Sequence, residues 1–540
     1  MSEKRKYRTA RTRSERIRSG RLRRRPAGQR PSLREALGGA WASLRDATPK
    51  SLSASVGPLL SLTLAAGVTA LTLGAPQVPV APVNPVRTEP LAAPNRDTLL
   101  ICPPAAGNGL EVTDYDQARQ ASLLAVQDGA AARFAGQELV AGRPQVRDLA
   151  ADGVLTVRYN GGTPAEGMGH SATLVAAGDL RGLSTAACTA PRSTAWVVAG
   201  STRPGSYAEL RLSNPGNTTV TASVKAYGST GPVDLPGGGQ VAVPSGKTES
   251  VYLGTTSATG SDGPLAVNVT TDGGALGVYL VDETLDGETA AGTEVVSAGA
   301  EPATEQVVPG VVLVDPDQQG QGSAGPVSSD QPVVRLMNPA EAPATVKVSL
   351  LGADGEQALP GAEALTVDPG AVFDVSLAAV APGAYAVRTT SDQPVVAAVQ
   401  LVRSAGEYPA RSGALLHDRA WLQSSTADFS LEADITLPRH WDASPQLVVT
   451  NSAPQRRTVT LRAVGEAWST QIVLEPGTTV VPQDLPEEVT ALTASADGEG
   501  VHGAVVVTTE VTGEAAGTLI SALPAVPGAR AQSSRHVLLR

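Results

Sequence analysis

Aromatic side chains are scarce in this chain, 3% of 540 residues, and charged ones make up 17%. A core built on stacked Phe and Tyr is excluded. What remains is a thin core of Ala, Val and Leu, which buries less area per residue. Lysine nearly vanishes after residue 50. Lys225, Lys247 and Lys347 are the three left, and residues 51–540 carry a net charge of −22. So acidic a balance argues against nucleic acid or teichoic acid held by bulk attraction. It tolerates divalent cations or basic partners.

Catalytic motifs are equally sparse. The five histidines, His170, His417, His440, His502 and His536, are scattered, and neither a G-x-S-x-G elbow nor an H-E-x-x-H pair occurs. His170-Ser171 comes nearest to a nucleophile pair. Strand neighbours point to opposite faces, however, so this pair is expected on solvated surface. Gly320-Gln-Gly322-Ser-Ala-Gly325 has dinucleotide-type spacing but no strand–turn–helix context, with Pro326 following at once. As a calcium loop it fails at its last ligand position, which is Pro326. Gly246-Lys247-Thr248 lacks the upstream glycine of a phosphate loop, since Val241 stands there. No catalytic residue, metal ligand, cofactor or cofactor-binding residue is expected, and the chain reads as a non-enzyme. A glycosidase carboxylate pair stays open, because the many carboxylates carry no distinguishing context.

What the sequence does contain is a repeat. Three segments run Leu210-x-Leu212-x-Asn214, Val334-x-Leu336-x-Asn338 and Leu447-x-Val449-x-Asn451. Apolar residues follow in register: Ala222/Val224/Ala226, Val346/Val348/Leu350 and Val459/Leu461/Ala463. Then come Gly228, Gly352 and Gly465, and later a second turn at Gly246, Gly370 and Gly477. Period-2 alternation predicts strands with one buried face. The Asn ends a strand and opens a turn, and the first glycine of each copy is expected at positive φ. About six or seven short strands per roughly 110 residues fit an antiparallel β-sandwich. Copy three departs from the others, with Pro482 where Val251 and Val375 stand, which puts its later strands in doubt.

The N-terminus is a different kind of segment. Residues 1–50 hold sixteen Lys/Arg against four Asp/Glu. A low-charge stretch follows, long enough to span a bilayer, with the basic flank inside by the positive-inside rule. An uncleaved signal anchor is the favoured reading, and cleavage near Leu73-Gly-Ala75 is the alternative. Residues 76–96 are Pro-rich and predict an extended stalk. Within 97–190 one helix is expected at about Thr113–Phe134, and no full repeat is found there. Cys102 and Cys188 bracket this region. An even count in an exported chain predicts a disulfide, with roughly 4–5 kcal/mol from loop entropy. Trp196 and Trp421 lie in apolar strands and are expected in cores. Trp441, in the polar Arg439-His440-Trp441-Asp442, is the candidate exposed binding aromatic.

Leu99-Leu-Ile-Cys102-Pro, Cys188, Trp196-Val-Val-Ala-Gly200-Ser-Thr and Leu210-x-Leu212-Ser-Asn214-Pro-Gly together resemble an uncharacterised actinobacterial family of membrane-anchored or secreted envelope proteins, a domain of unknown function. The resemblance covers about residues 95–525. It implies location and architecture and carries no functional residues. Separately, the modules are similar to bacterial immunoglobulin-like adhesion domains.

The expected architecture is mainly β: tandem immunoglobulin-like antiparallel β-sandwich modules behind one N-terminal transmembrane helix. The divisions are a basic cytoplasmic tail (1–50), signal anchor (51–75), stalk (76–96), a mixed first region closed by the disulfide (97–190), and repeats 1, 2 and 3 (191–315, 316–430, 431–540). Whether the repeats stand as separate sandwiches or close into one ring is left open by the sequence. The function expected is a non-enzymatic envelope scaffold or protein-binding ectodomain, single-pass and exported. The alternative is a cell-wall or carbohydrate-binding accessory protein, or a form secreted after cleavage. Partners would be envelope proteins or a cell-wall polymer, plus the membrane through the N-terminal helix.

Overall fold

The alternation in the sequence becomes a half-buried strand in each repeat. In repeat 1, Val220, Ala222, Val224 and Ala226 are buried while Thr221 and Lys225 between them are exposed, all on the strand Val220–Gly228. The computed structural model describes residues 97–103, 118–147, 153–158, 165–253, 263–315, 331–409, 411–513 and 515–528, with short strands at Leu91–Ala92 and Ser534–Arg535. The basic tail, the span 51–75, nearly all of the stalk and the Gly320–Gly325 segment lie outside the described residues. Among the described residues no helix is long and apolar enough to cross a membrane.

Two antiparallel sheets make up repeat 1. One runs Thr194–Val197, Ala266–Asp272, Val220–Gly228, Gly231–Val233; the other runs Thr248–Tyr252, Ser206–Ser213, Gly277–Asp286, Thr289–Ser297. Leu210, Leu212, Val224, Val267, Val269 and Leu280 pack in one core between them. Asn214, Asn338 and Asn451 are buried and make the same three hydrogen bonds. The side-chain oxygen accepts the amide two residues on, from Gly216, Ala340 and Ala453, at 2.9, 3.0 and 3.0 Å. Nδ2 donates to the carbonyl four residues on, of Thr218, Ala342 and Gln455, at 2.8 Å each. It also donates to a strand end across the turn, at Val243, Val367 and Leu474, at 2.9, 2.9 and 3.2 Å. The repeated Asn is therefore a peg satisfying buried backbone groups that no strand can reach.

The first glycines of the copies do not all adopt the positive φ expected of them. Of the first set, Gly465 alone has positive φ, 87°. For the other two, positive φ falls three residues later across the hairpin, at Gly231 (121°) and Gly355 (106°). Gly352 is small for a different reason: a Cβ there would lie 3.0 Å from the Tyr385 ring. The second-turn glycines Gly246, Gly370 and Gly477 do all sit at positive φ, 65°, 69° and 71°. In repeat 3, where Pro482 stands, the edge strand shrinks to Thr479–Val480, against five residues in Thr248–Tyr252 and Val372–Ser376.

The first region, where no repeat was found, folds as the same unit. Its sheets are Thr98–Cys102, Gly153–Val157, Ala132–Phe134, Gln137–Leu139, and Gln145–Arg147, Arg119–Val126, Gly167–Val175, Gly182–Ala187, in the strand order of repeat 1. The expected helix at about 113–134 is overturned over its described part. Arg119–Val126 and Ala132–Phe134 are strands, and residues 113–117 lie outside the described residues. Good helix formers lose here to pairing with Gly167–Val175 and burial of six consecutive side chains. Cys102 and Cys188 form the disulfide, tying the opening strand to the end of the unit. The boundary between repeats 1 and 2 also moves. Ala303–Leu313 pairs with the strand Gly383–Glu407 and so opens repeat 2; residues 316–330 fall inside that repeat.

The four units close on one another. Their last strands, Gly182–Ala187, Thr289–Ser297, Leu415–Gln423 and Gly517–Pro524, each pack against the next, and the fourth packs against the first. These inner strands carry almost continuous burial, because one face meets the unit's own core and the other meets neighbours. Cores cross the boundaries: Met337, Val372 and Trp421 of repeat 2 join the core of repeat 1, and Ala504 and Ile520 of repeat 3 join that of repeat 2. Leu174 and Leu183 of the first region join that of repeat 3, and Ile101 and Ala186 pack with Tyr279 of repeat 1. Leu91–Ala92 pairs with Ser534–Arg535. Among the described residues the two-sheet units do not stand apart but pack on one another in a closed ring.

Asn338→Ala should lower unfolding stability by about 3 kcal/mol, since it strands two carbonyls and an amide in a buried turn. Gln127 follows the matching strand of the first region and makes one 3.2 Å bond, from the Glu166 amide. Gln127→Ala should therefore cost clearly less. Denaturant unfolding of both variants checks the contrast.

Candidate functional site

Polar chemistry concentrates where the inner strands meet. Asp418, fully buried on Leu415–Gln423, accepts three backbone amides: Leu183 at 3.0 Å, Ile520 at 2.8 Å and Arg419 at 3.0 Å. One carboxylate thus joins the first region, repeat 2 and repeat 3. Gly182 permits the approach, since a Cβ there would lie 2.9 Å from Asp418 Oδ1. Ser521 Oγ accepts the Thr185 amide (2.7 Å) and hydroxyl (2.8 Å) and donates to Glu294 Oε1 (2.8 Å). Ser184 Oγ accepts the Val295 amide at 3.0 Å. Burial pushes the Asp418 carboxyl up to about 7 against its three amide bonds. Burial likewise raises Glu294 well above its usual range, with Asp418 adding to the effect. These acids face other parts of the same fold, so they hold it together.

The junction of repeats 1 and 2 is built the same way. Arg335 binds Asp374 through Nε (2.8 Å) and Nη2 (2.9 Å), donates to the Gly200 carbonyl (2.6 Å), and lies 4.5 Å over the Trp421 ring. The Trp421 indole N–H donates to Asp282 at 3.0 Å. Trp421 and Trp196 are both buried, as expected for core anchors, and Trp196 stacks on Tyr227 with centroids 5.8 Å apart.

A cleft of about 700 Å³ lies between the first region and repeat 3. Asp128, Glu166 and Met168 line one wall; Glu432, Asp434 and Arg462 line the other. Along the same seam the fold joins two histidines that are 270 residues apart in sequence: His170 Nε2 and His440 Nε2 are 3.3 Å apart. His170-Ser171 is thus not on the solvated surface expected for it. His170 is fully buried and Ser171 nearly so, because the strand Gly167–Val175 is covered on both faces. Burial, then the neighbouring His440, lowers His170 to about 3. Trp441 is half-buried and packs against the core of repeat 3. His502 is held between two hydroxyls, Ser425 at 2.7 Å and Ser452 at 2.9 Å, and burial lowers it to about 3. His417 is buried on the inner strand of repeat 2, and His536 lies outside the described residues. Among the described residues no three His, Cys, Asp or Glu converge as a metal site.

The chain belongs to a family of unknown function, DUF5719, whose model matches residues 144–483, from the first region into repeat 3. No curated protein matches the chain, and no solved structure does.

The buried groups set a pH profile. His502 is held neutral, so its contribution is full above pH 6.5 and is lost as pH falls toward 3. Asp418 runs the other way. Its contribution is full below pH 3.8 and is lost as pH rises through about 7. His502→Gln should flatten the acid limb of stability against pH, and Asp418→Asn the limb between acid and neutral pH. Urea midpoints across that range read both limbs, and unchanged slopes would refute the assignments.

Proposed function

We propose that the ring is a non-enzymatic scaffold that docks proteins at the cell envelope, exported and held to the membrane by its N-terminal segment. The observation that carries this reading is on the ring's outer strands. Gln145–Arg147, Thr248–Tyr252 and Val372–Ser376 are each the outermost strand of a sheet, and they expose Val146, Tyr252 and Phe373. Open edges with apolar side chains are surfaces on which a partner strand can add. The disulfide fits an oxidising compartment, and the basic residues 1–50 ahead of an apolar stretch fit an inside tail and a span. The two-sheet units, with their Asn turn and Pro-Gly turn, support an immunoglobulin-like adhesion module as the ancestor. The family resemblance favours an actinobacterial envelope.

Carbohydrate or cell-wall binding is the second reading. Tyr207 and Tyr252 favour it, with ring centroids 5.6 Å apart at the same edge. Photo-crosslinking from positions 252 and 373 in the native cell, beside pull-downs on peptidoglycan and on membrane extract, decides between the two. Protein adducts that disappear in Phe373→Lys, with unchanged melting, support docking. Capture by peptidoglycan alone, lost in Tyr252→Lys, overturns it in favour of the polymer.

A further inference from the structure

The segment that carries His440 is under strain. It connects the strands Glu432–Thr436 and Ser444–Asn451 of repeat 3, and its single turn His440–Asp442 places two non-glycine residues in the left-handed region, Trp441 at φ 57° and Asp442 at φ 59°. L side chains rarely adopt this conformation, so surrounding contacts must hold the turn. Three are in place. The Ala443 amide donates to the His440 carbonyl at 3.1 Å. The Thr509 hydroxyl donates to the Trp441 carbonyl at 3.0 Å. The third crosses the seam between the first region and repeat 3, and it is the His170–His440 pair.

That pair joins two imidazole rings. Their centroids are 5.4 Å apart with planes at 64°, so the two Nε2 atoms face each other nearly head-on. One nitrogen must donate and the other accept. His170 Nδ1 is buried without a hydrogen-bond partner. A bare acceptor there is better tolerated than a buried, unpaired N–H. The proton of His170 is therefore on Nε2, and His440 accepts with its lone pair. The same point argues against a metal between the rings. A metal on Nε2 would force the His170 proton onto the unpartnered Nδ1, whereas ligating histidines nearly always donate that proton to a partner.

We propose that the His170–His440 contact is an acid-released latch, which in its neutral form holds the strained turn 439–443 against the first region and keeps the seam closed. A proton on His440 converts the acceptor into a second donor, and two N–H groups then face each other. His170 cannot relieve this by taking the charge, because burial holds it neutral, and accepting instead would put its own proton on the buried, unpartnered Nδ1. The folded value of His170 lies below its ordinary one, so the pair stabilises the seam fully above pH 6.5 and progressively less as pH falls.

The charged groups around the pair are of both signs. The strands packed on Gly167–Val175 bring Arg119, Glu432 and Asp434, while Thr98–Cys102 and Gly182–Ala187 bring no charge. The strand behind the turn, Val501–Val511, brings His502 and Glu510; Arg439 and Asp442 flank His440 in the turn itself. Among the described residues, a charge on His440 is what adds to burial in lowering His170. Release would uncover Trp441, now packed against the core of repeat 3, and would widen the seam beside the acidic cleft.

Hydrogen exchange on the full-length chain tests the latch. Corrected for intrinsic rates, protection over residues 437–445 should fall by about tenfold or more between about pH 7.5 and about pH 5, the range in which histidine titrates. Protection of the inner strand Leu415–Gln423 should hold over that range. His440→Gln, which can still accept a hydrogen bond and does not titrate, should keep the segment protected at both values. Wild-type protection that is flat with pH overturns the proposal without any variant. So does a His440→Gln chain that loses protection as the wild type does. Tryptophan quenching gives a second reading: an acid-induced rise in accessibility should vanish in Trp441→Phe, and its persistence there also counts against the latch.

Discussion

Four strands that are buried on both faces have no solvent to satisfy their polar groups, and the whole ring depends on how that is resolved at its centre. The inner strands meet side by side, and Asp418, Ser184, Thr185, Ser521 and Glu294 bond across from one unit to the next. A polar group left unpaired at such depth costs more than any single apolar contact returns. The units are thus fixed relative to one another by a small number of directional bonds, and their thin Ala/Val cores then pack around that arrangement. Arg335 repeats the logic at the junction of repeats 1 and 2, where one guanidinium meets a carboxylate, a carbonyl and an indole face.

The ring also sets the protonation behaviour of the chain's ionisable residues. Asp282, Glu294 and Asp418 are raised by burial, and His170 and His502 lowered by it. Such shifts often mark catalysis. Here the groups bond to backbone amides, hydroxyls, an indole N–H or each other, most of them across unit boundaries. Their perturbation reports the depth of the interfaces.

Much of the repeat was legible because it is local. An Asn peg acts within a few residues, and the alternation that follows it needs only one buried face, so three copies stood out in register. The first region escaped because Gln127 takes the place of the peg, and two of its strands, Ala132–Phe134 and Gln137–Leu139, have only three residues each. The ring itself left little trace. Alternation records one face of a strand, whereas the inner strands are defined by both. Asp418, alone in the run Leu415 to Leu422 with His417 and Arg419 beside it, was a visible signal of a buried partner, but nothing nearby in sequence named that partner. His170 and His440 were equally invisible as a pair, being joined by the closure and by nothing local.

Ring closure has a consequence for how the chain acquires its structure. The bonds that fix the centre join residues far apart in sequence: Thr185 to Ser521 spans 336 positions, and Leu183 to Asp418 spans 235. Contacts of such separation are entropically late and slow to form. A chain emerging from its amino end can assemble the sheets of the early units, but the inward faces of their last strands stay uncovered until repeat 3 arrives. For that interval the molecule is an open fan with apolar strand faces on display, the state most prone to aggregation in its life history. Assembly speed, more than final stability, would then decide how much of the protein reaches its working form.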